Sequence, residues 1–147
     1  MIKNILVPYD GSPLSKKALE LAKDVSRNFD ADLKLLMVIP DYYPISDSVF
    51  SGAAAMNYQQ VVKSLKDQGE KDIEKITKKC IDDGIQATYK IVHDDVSNAI
   101  LKEAKKSKTD MIVMGSRRMT GIASLKRFGS TARHVTEHAD CPVTIVH

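Results

Sequence analysis

Ile5-Leu6-Val7-Pro8-Tyr9-Asp10-Gly11-Ser12-Pro13 is the stretch on which the reading of the fold turns. Its apolar start is a short strand, and Ser12 followed by Pro13 supplies a helix N-cap and a first-turn proline. From Pro13 to Asn28, Leu14, Ala18, Leu21, Ala22 and Val25 recur at steps of three and four, so the strand feeds directly into an amphipathic helix. The alternation then continues. Leu33 to Ile39, Ala87 to Val92, Met111 to Met114 and Val143 to Val146 are further short apolar runs bounded by turn or charged residues, as strands are. Between them, Tyr58, Val62, Leu65, Gly69, Ile73, Ile76 and Cys80 predict a long helix that stops near Gly84. Ser97 to Lys106 and Ser130 to His138 predict two more helices, the last capped by Ser130. Strict alternation of strand and helix implies right-handed crossovers, and therefore an α/β fold with one open, doubly wound, five-stranded parallel sheet and four helices.

The chain has 147 residues and a mass of 16.3 kDa, which matches one domain of the usual size, so residues 1–147 are read as a single unit. A hydrophobic share of 43% is too high for disorder, and no apolar stretch approaches the ~20 residues of a membrane helix. The first residues show no small-residue cleavage site, which argues against a secretory signal. Cys80 and Cys141 stand far apart with no C-x-x-C spacing, so neither a disulfide framework nor a zinc site is indicated, and a reducing cytoplasm is expected. The long irregular segment Asp41 to Met56 reads equally as a lid or as a tolerated surface insertion.

The formal net charge of +3 is not spread evenly. Between Gly115 and His134 stand Arg117, Arg118, Lys126, Arg127 and Arg133 with no acidic residue, while the remainder carries 17 basic and 19 acidic side chains. One short basic segment suits a small anion or phosphate group better than a nucleic-acid surface, which spreads over a face or along a helix.

In open α/β sheets, ligands bind beyond the carboxyl ends of the strands where strand order reverses. The segments after the strands are therefore the candidates, and Met114-Gly115-Ser116-Arg117-Arg118 is the most informative. Further on, Gly129-Ser130-Thr131 opens a helix whose free N–H groups and dipole attract an anion. Together they form a phosphate cradle. No two glycines form G-x-G, and no G-x-x-x-x-G-K-[ST] occurs, so the dinucleotide fingerprint and the P-loop are both absent.

Ile5 to Ser12, Met111 to Arg117, Gly129-Ser130-Thr131-Ala132 and His138-Ala139-Asp140-Cys141-Pro142-Val143, in that order, resemble the universal stress protein family over essentially the whole chain. The resemblance implies a Rossmann-like sheet of order 3-2-1-4-5 and a homodimer paired through the last strand, Val143 to Val146. It also implies an adenine nucleotide, ATP or AMP, bound in the cleft as a regulatory ligand, with Mg²⁺ accompanying a triphosphate. The site residues it carries over are Pro8, Tyr9, Asp10, Val38, Met114, Gly115, Arg117, Arg118, Gly129, Ser130, Thr131 and Ala132. The family pattern is G-x-x-G, nine residues, then G-[ST]. Here Arg118 takes the place of the second glycine, and ten residues, Met119 to Phe128, fill the interval. Loss of the glycine removes backbone freedom and adds bulk near a phosphate, whereas an arginine there supplies a bidentate contact to it. The alternative is a stress-associated interaction or chaperone-like dimer whose cleft no longer holds nucleotide.

No residue stands out as a general base, so the chain is read as a binder before an enzyme. Asp10 and Ser130 also have purely structural roles open to them, as turn former and cap. His134-Val135-Thr136-Glu137-His138 matches the zinc-hydrolase string H-x-x-E-H, but only nine residues follow it, none of them Glu, and a catalytic zinc is not expected. His93-Asp94-Asp95 is read chiefly as the cap region of the next helix.

Overall fold

The computed structural model describes residues 1–40, 53–116 and 129–147, excepting the side chains of residues 53–56. Its elements are β1 (Asn4–Pro8), α1 (Pro13–Phe29), β2 (Asp32–Pro40), α2 (Ala53–Asp82), β3 (Ala87–Asp94), α3 (Val96–Lys106), β4 (Met111–Gly115), α4 (Ser130–His138) and β5 (Val143–Val146). The five strands form one sheet of order β3-β2-β1-β4-β5, and each neighbouring pair is parallel. The chain winds outward from β1 to β3, returns to the other side of β1, and winds outward again. Because right-handed crossovers place their helices on opposite faces when the winding direction reverses, α1 and α2 must cover one face and α3 and α4 the other.

The two core clusters show that division. Ile5, Val7, Leu33, Leu35 and Val113 pack with Ala18, Leu19 and Ala22 of α1 and Ile73 and Cys80 of α2. The alternate residues Leu6, Leu36, Ile112 and Met114 pack with Ile100 and Ala104 of α3 and Ala132 and Val135 of α4. Since both faces are covered, the central strands read as apolar runs without polar alternation.

Two helical positions expected in the core lie outside it. Leu21 is 38% exposed and Leu65 52% exposed. In α1 the buried line runs through Ala18, Leu19 and Ala22, leaving Leu21 at the margin of the face. In α2 the cause is length: 30 residues extend about 45 Å, far beyond the roughly 26 Å of the eight-residue β3. Burial begins at Gly69, and the preceding half of the helix, with Val61 and Leu65, projects past the sheet. The helix also begins at Ala53, earlier than the apolar period shows, because three successive alanines favour helix strongly yet carry no pattern. Residues 41–52 of the segment expected to be irregular lie outside the described residues.

A buried charge cluster ties α3 to the sheet. Glu103 is 4% exposed, and its two carboxylate oxygens each meet a lysine at 2.6 Å, Lys34 of β2 and Lys90 of β3. Burial pushes the Glu103 carboxyl upward, but the hydrogen bonds from Lys34 and Lys90 outweigh it and hold the group below the usual glutamate range. On the opposite face, buried Lys23 of α1 reaches Asp83, just past the end of α2, at 2.9 Å.

Two predictions follow from this packing. A Cβ added at Gly115 would lie 2.8 Å from Leu14 Cβ and 3.1 Å from the Leu14 carbonyl carbon, so the first turn of α1 must move. Gly115→Ala is expected to cost about 1–3 kcal/mol of unfolding free energy, measured by urea titration. Glu103→Gln is expected to cost about 1–3 kcal/mol at neutral pH, since the lysine heads keep access to water. Because the folded-state carboxyl is depressed, its contribution is fully present above the unfolded value of about 4.3 and is lost as pH falls through the folded value. The variant therefore shows a shallower loss of stability than wild type in the acid limb, read from urea midpoints as a function of pH.

Candidate functional site

The expected site residues gather where the sheet's winding reverses, at the carboxyl ends of β1 and β4. After β1 the Tyr9 amide donates to the Leu36 carbonyl at 2.9 Å, extending the pairing with β2 by one residue. The chain then turns sharply through Gly11, whose φ of +79° lies in the left-handed region that glycine enters without strain. Asp10 is exposed, and its Oδ1 accepts the Ser12 amide at 2.9 Å. Ser12 in turn caps α1, its Oγ accepting from the Ser15 amide at 3.2 Å. Asp10 thus fills the turn-forming role expected of it, and its side chain is exposed just beyond β1.

The end of β4 is fixed by contacts to three other elements. Gly115 lies against the Leu14 backbone of α1, and the missing Cβ is what admits that approach. Ser116, 2% exposed, donates its amide to the Val146 carbonyl at 2.8 Å, carrying the pairing with β5 past the strand end. The Ser116 carbonyl accepts the Gly129 amide, also at 2.8 Å. This last bond joins the two ends of segment 117–128 and brings the start of α4 to the tip of β4. Its role was not visible in the sequence, because it is made by backbone atoms that any residue carries.

Gly129, and not Ser130, is the N-cap of α4, with φ −62° and ψ 150° and no side-chain cap hydrogen bond. Ser130 already has helical geometry as the first helical residue, so its hydroxyl is exposed beside the helix start and does not cap it. By contrast, α1 is capped by Ser12 and α3 by Asp95, whose carboxylate accepts the Asn98 amide at 3.0 Å. Gly129 itself thus offers no acceptor to the first N–H groups of α4, and a helix start of this kind, with its positive dipole end, suits an anion.

The other expected site residues divide between half-buried and core positions. Pro8, Gly115, Gly129 and Thr131 are half-buried. Val38 is half-buried near the end of β2 and packs with the cluster under α3 and α4. Met114 at 5% exposure and Ala132 at 1% belong to that cluster. Tyr9 is 5% exposed and belongs to the core beneath α1 and α2. Burial first, then the charges of Asp72 and Asp10, raise its phenol above the ordinary tyrosine value, so it stays neutral. Arg117 and Arg118, together with the interval Met119 to Phe128, lie outside the described residues. At the opposite end of the sheet, a cavity of about 200 Å³ is lined by polar groups including Asn4, Lys34, Thr88, Ser107 and Thr109, a feature with no sequence signature.

Among the described residues, no helix is long and apolar enough to cross a membrane, and no group of three or more His, Cys, Asp and Glu side chains is placed to hold a metal ion. Both cysteines are free thiols.

The family model of the universal stress protein family matches residues 1–147. Universal stress protein MJ0531 of Methanocaldococcus jannaschii is 30% identical over 147 residues, covering 99% of this chain and 82% of that protein. The solved structure of universal stress protein UspA from Lactobacillus plantarum superposes with a TM-score of 0.82 at 23% identity, covering 99% of this chain and 97% of that one. Two more distant structures of the same fold were determined with nucleotides. A universal stress protein in complex with cAMP has a TM-score of 0.64 at 20% identity, covering 99% of this chain and 97% of that one. The Archaeoglobus fulgidus universal stress protein in complex with dAMP has a TM-score of 0.61 at 15% identity, covering 100% and 98%. Motif order, sheet order and the match over the full length agree: the chain belongs to the universal stress protein family.

Proposed function

We propose that this protein binds an adenine nucleotide, ATP or AMP, in the cleft between the carboxyl ends of β1 and β4, as a regulatory ligand. The observation that carries the reading is the clamp from Gly129 N–H to the Ser116 carbonyl, which sets an α4 N-terminus lacking a side-chain cap beside the tip of β4. That position suits phosphates through backbone N–H groups and the helix dipole. Segment 117–128, which carries Arg117, Arg118, Lys126 and Arg127, joins these two points and supplies positive charge. Asp10, exposed beyond β1, suits the ribose hydroxyls or the base. The cAMP and dAMP complexes of two family structures support a ligand of this class.

The functional unit in this reading is one domain, residues 1–147, working in the reducing cytoplasm. It pairs with a second copy through β5, which forms one edge of the sheet. Occupancy of the cleft is then signalled through that dimer or its partners, without turnover, and Mg²⁺ accompanies a triphosphate. Nothing in the charge distribution calls for nucleic acid or membrane.

Calorimetric titration with ATP and AMP, with and without Mg²⁺, tests the proposal. Wild type is expected to release heat and gain thermal stability, and Gly129→Val to lose both by crowding the phosphates. Absence of heat and of stabilisation at millimolar nucleotide overturns the reading and leaves the interaction dimer in its place. Arg118→Gly reports on the second departure from the family pattern: a Kd raised about tenfold marks Arg118 as a phosphate clamp, and a lowered Kd marks it as an obstruction. With five tyrosines and no tryptophan, a co-purified nucleotide also raises absorbance at 260 nm visibly.

A further inference from the structure

The far end of α4 carries a pair of side chains that nucleotide binding leaves unused. His134 and His138 stand one helical turn apart and exposed, their rings stacked with centroids 4.2 Å apart and planes inclined by 22°. Neighbours at i and i+4 share one helix face, so both imidazoles stand on the same side of α4. His138 Nδ1 lies 2.9 Å from the His134 carbonyl oxygen. A carbonyl can only accept, so Nδ1 carries the proton and the neutral ring keeps its lone pair on Nε2. A hydrogen bond of this kind, from one ring nitrogen to a backbone carbonyl, is what orients metal-ligating histidines and raises their basicity.

The surrounding charges favour a cation there. His138 lies in the last turn of α4, where the negative end of the helix dipole is felt. Arg133, the nearest cation on the helix, is bound to Glu137 at 3.0 Å and so has its charge compensated.

We infer that His134 and His138 form a chelating pair for a borderline divalent transition metal ion, Ni²⁺, Cu²⁺ or Zn²⁺, with one ring nitrogen from each and water in the remaining positions. Imidazole donors select these ions, whereas Mg²⁺ and Ca²⁺ take oxygen ligands. With no third protein ligand among the described residues, the pair is a surface chelate and not the three-ligand centre of a hydrolase. The H-x-x-E-H string thus acquires a binding role without a catalytic one. The metal would staple the last turn of α4 just ahead of Cys141 and β5, and it would stabilise the folded chain because only the folded helix holds both donors together.

Calorimetric titration of tag-free protein with NiCl₂, with thermal unfolding in parallel, tests the inference. Wild type is expected to bind one Ni²⁺ per chain and to melt higher in its presence. His134→Gln and His138→Gln should each raise the Kd by about tenfold or more, because the second donor no longer acts intramolecularly. His93→Gln, which alters an exposed histidine elsewhere, should leave the Kd unchanged, and excess Mg²⁺ should not compete. Wild-type Ni²⁺ affinity in both single variants, no binding at millimolar Ni²⁺, or loss of binding in Cys141→Ser would each overturn it. Both histidines are exposed, so unaltered melting of the metal-free variants confirms that folding is not the cause of a lost signal.

Discussion

Position 115 has room for no side chain. A Cβ there would stand 2.8 Å from Leu14 Cβ, well inside van der Waals contact, and the rest of the cleft depends on that close approach. With glycine in place, the first turn of α1 settles against the tip of β4. The Asp10-Gly11-Ser12 turn, which joins β1 to that same helix turn, is thereby fixed in relation to β4. The residue after Gly115 completes the arrangement, since Ser116 holds Val146 through its amide and Gly129 through its carbonyl. The starts of α1 and α4 and the ends of β4 and β5 meet through one missing methyl group and two backbone hydrogen bonds.

The molecule treats its helix starts differently. Ser12 and Asp95 close α1 and α3 with side-chain acceptors, but α4 begins at Gly129, which has none. At the other end of the sheet the charges are closed among themselves: Lys34 and Lys90 share Glu103, and Asp110 accepts the amides of Lys3 and Asn4 at 2.8 and 2.9 Å. Polar groups at that end hold the fold together. The switch-point end has a helix start that a ligand's charge can complete.

The parallel sheet and its two-faced core were legible because a strict β-α alternation implies right-handed crossovers, and because central strands buried on both faces show as unbroken apolar runs, whereas the strand order followed only from the resemblance to the family. Helix registers were legible only where the helix lies on the sheet. Leu65 has the expected period in a part of α2 that projects past the strands, and periodicity alone cannot show where the sheet stops. Lys34 interrupts an apolar strand, and nothing near it in the sequence shows that Glu103, far along the chain, neutralises it. At the site, Gly115 and Gly129 were identified by residue type, but their reasons were not: Gly115 admits Leu14 and has no positive φ, and Gly129 is itself the cap that Ser130 was expected to be. Contacts between distant backbone atoms leave no trace in residue types, so the clamp at Ser116 could only be seen in three dimensions.

The central claim is that the nucleotide occupies the end of the sheet where β4 meets α4. Amide chemical-shift mapping on addition of AMP tests this most directly. The account predicts shifts concentrated at Asp10 to Ser12, Gly115, Ser116 and Gly129 to Ala132, with Asn4, Thr88 and Thr109 at the opposite end unmoved. Shifts centred on Asn4, Thr88 and Thr109, or none at saturating AMP, would contradict it.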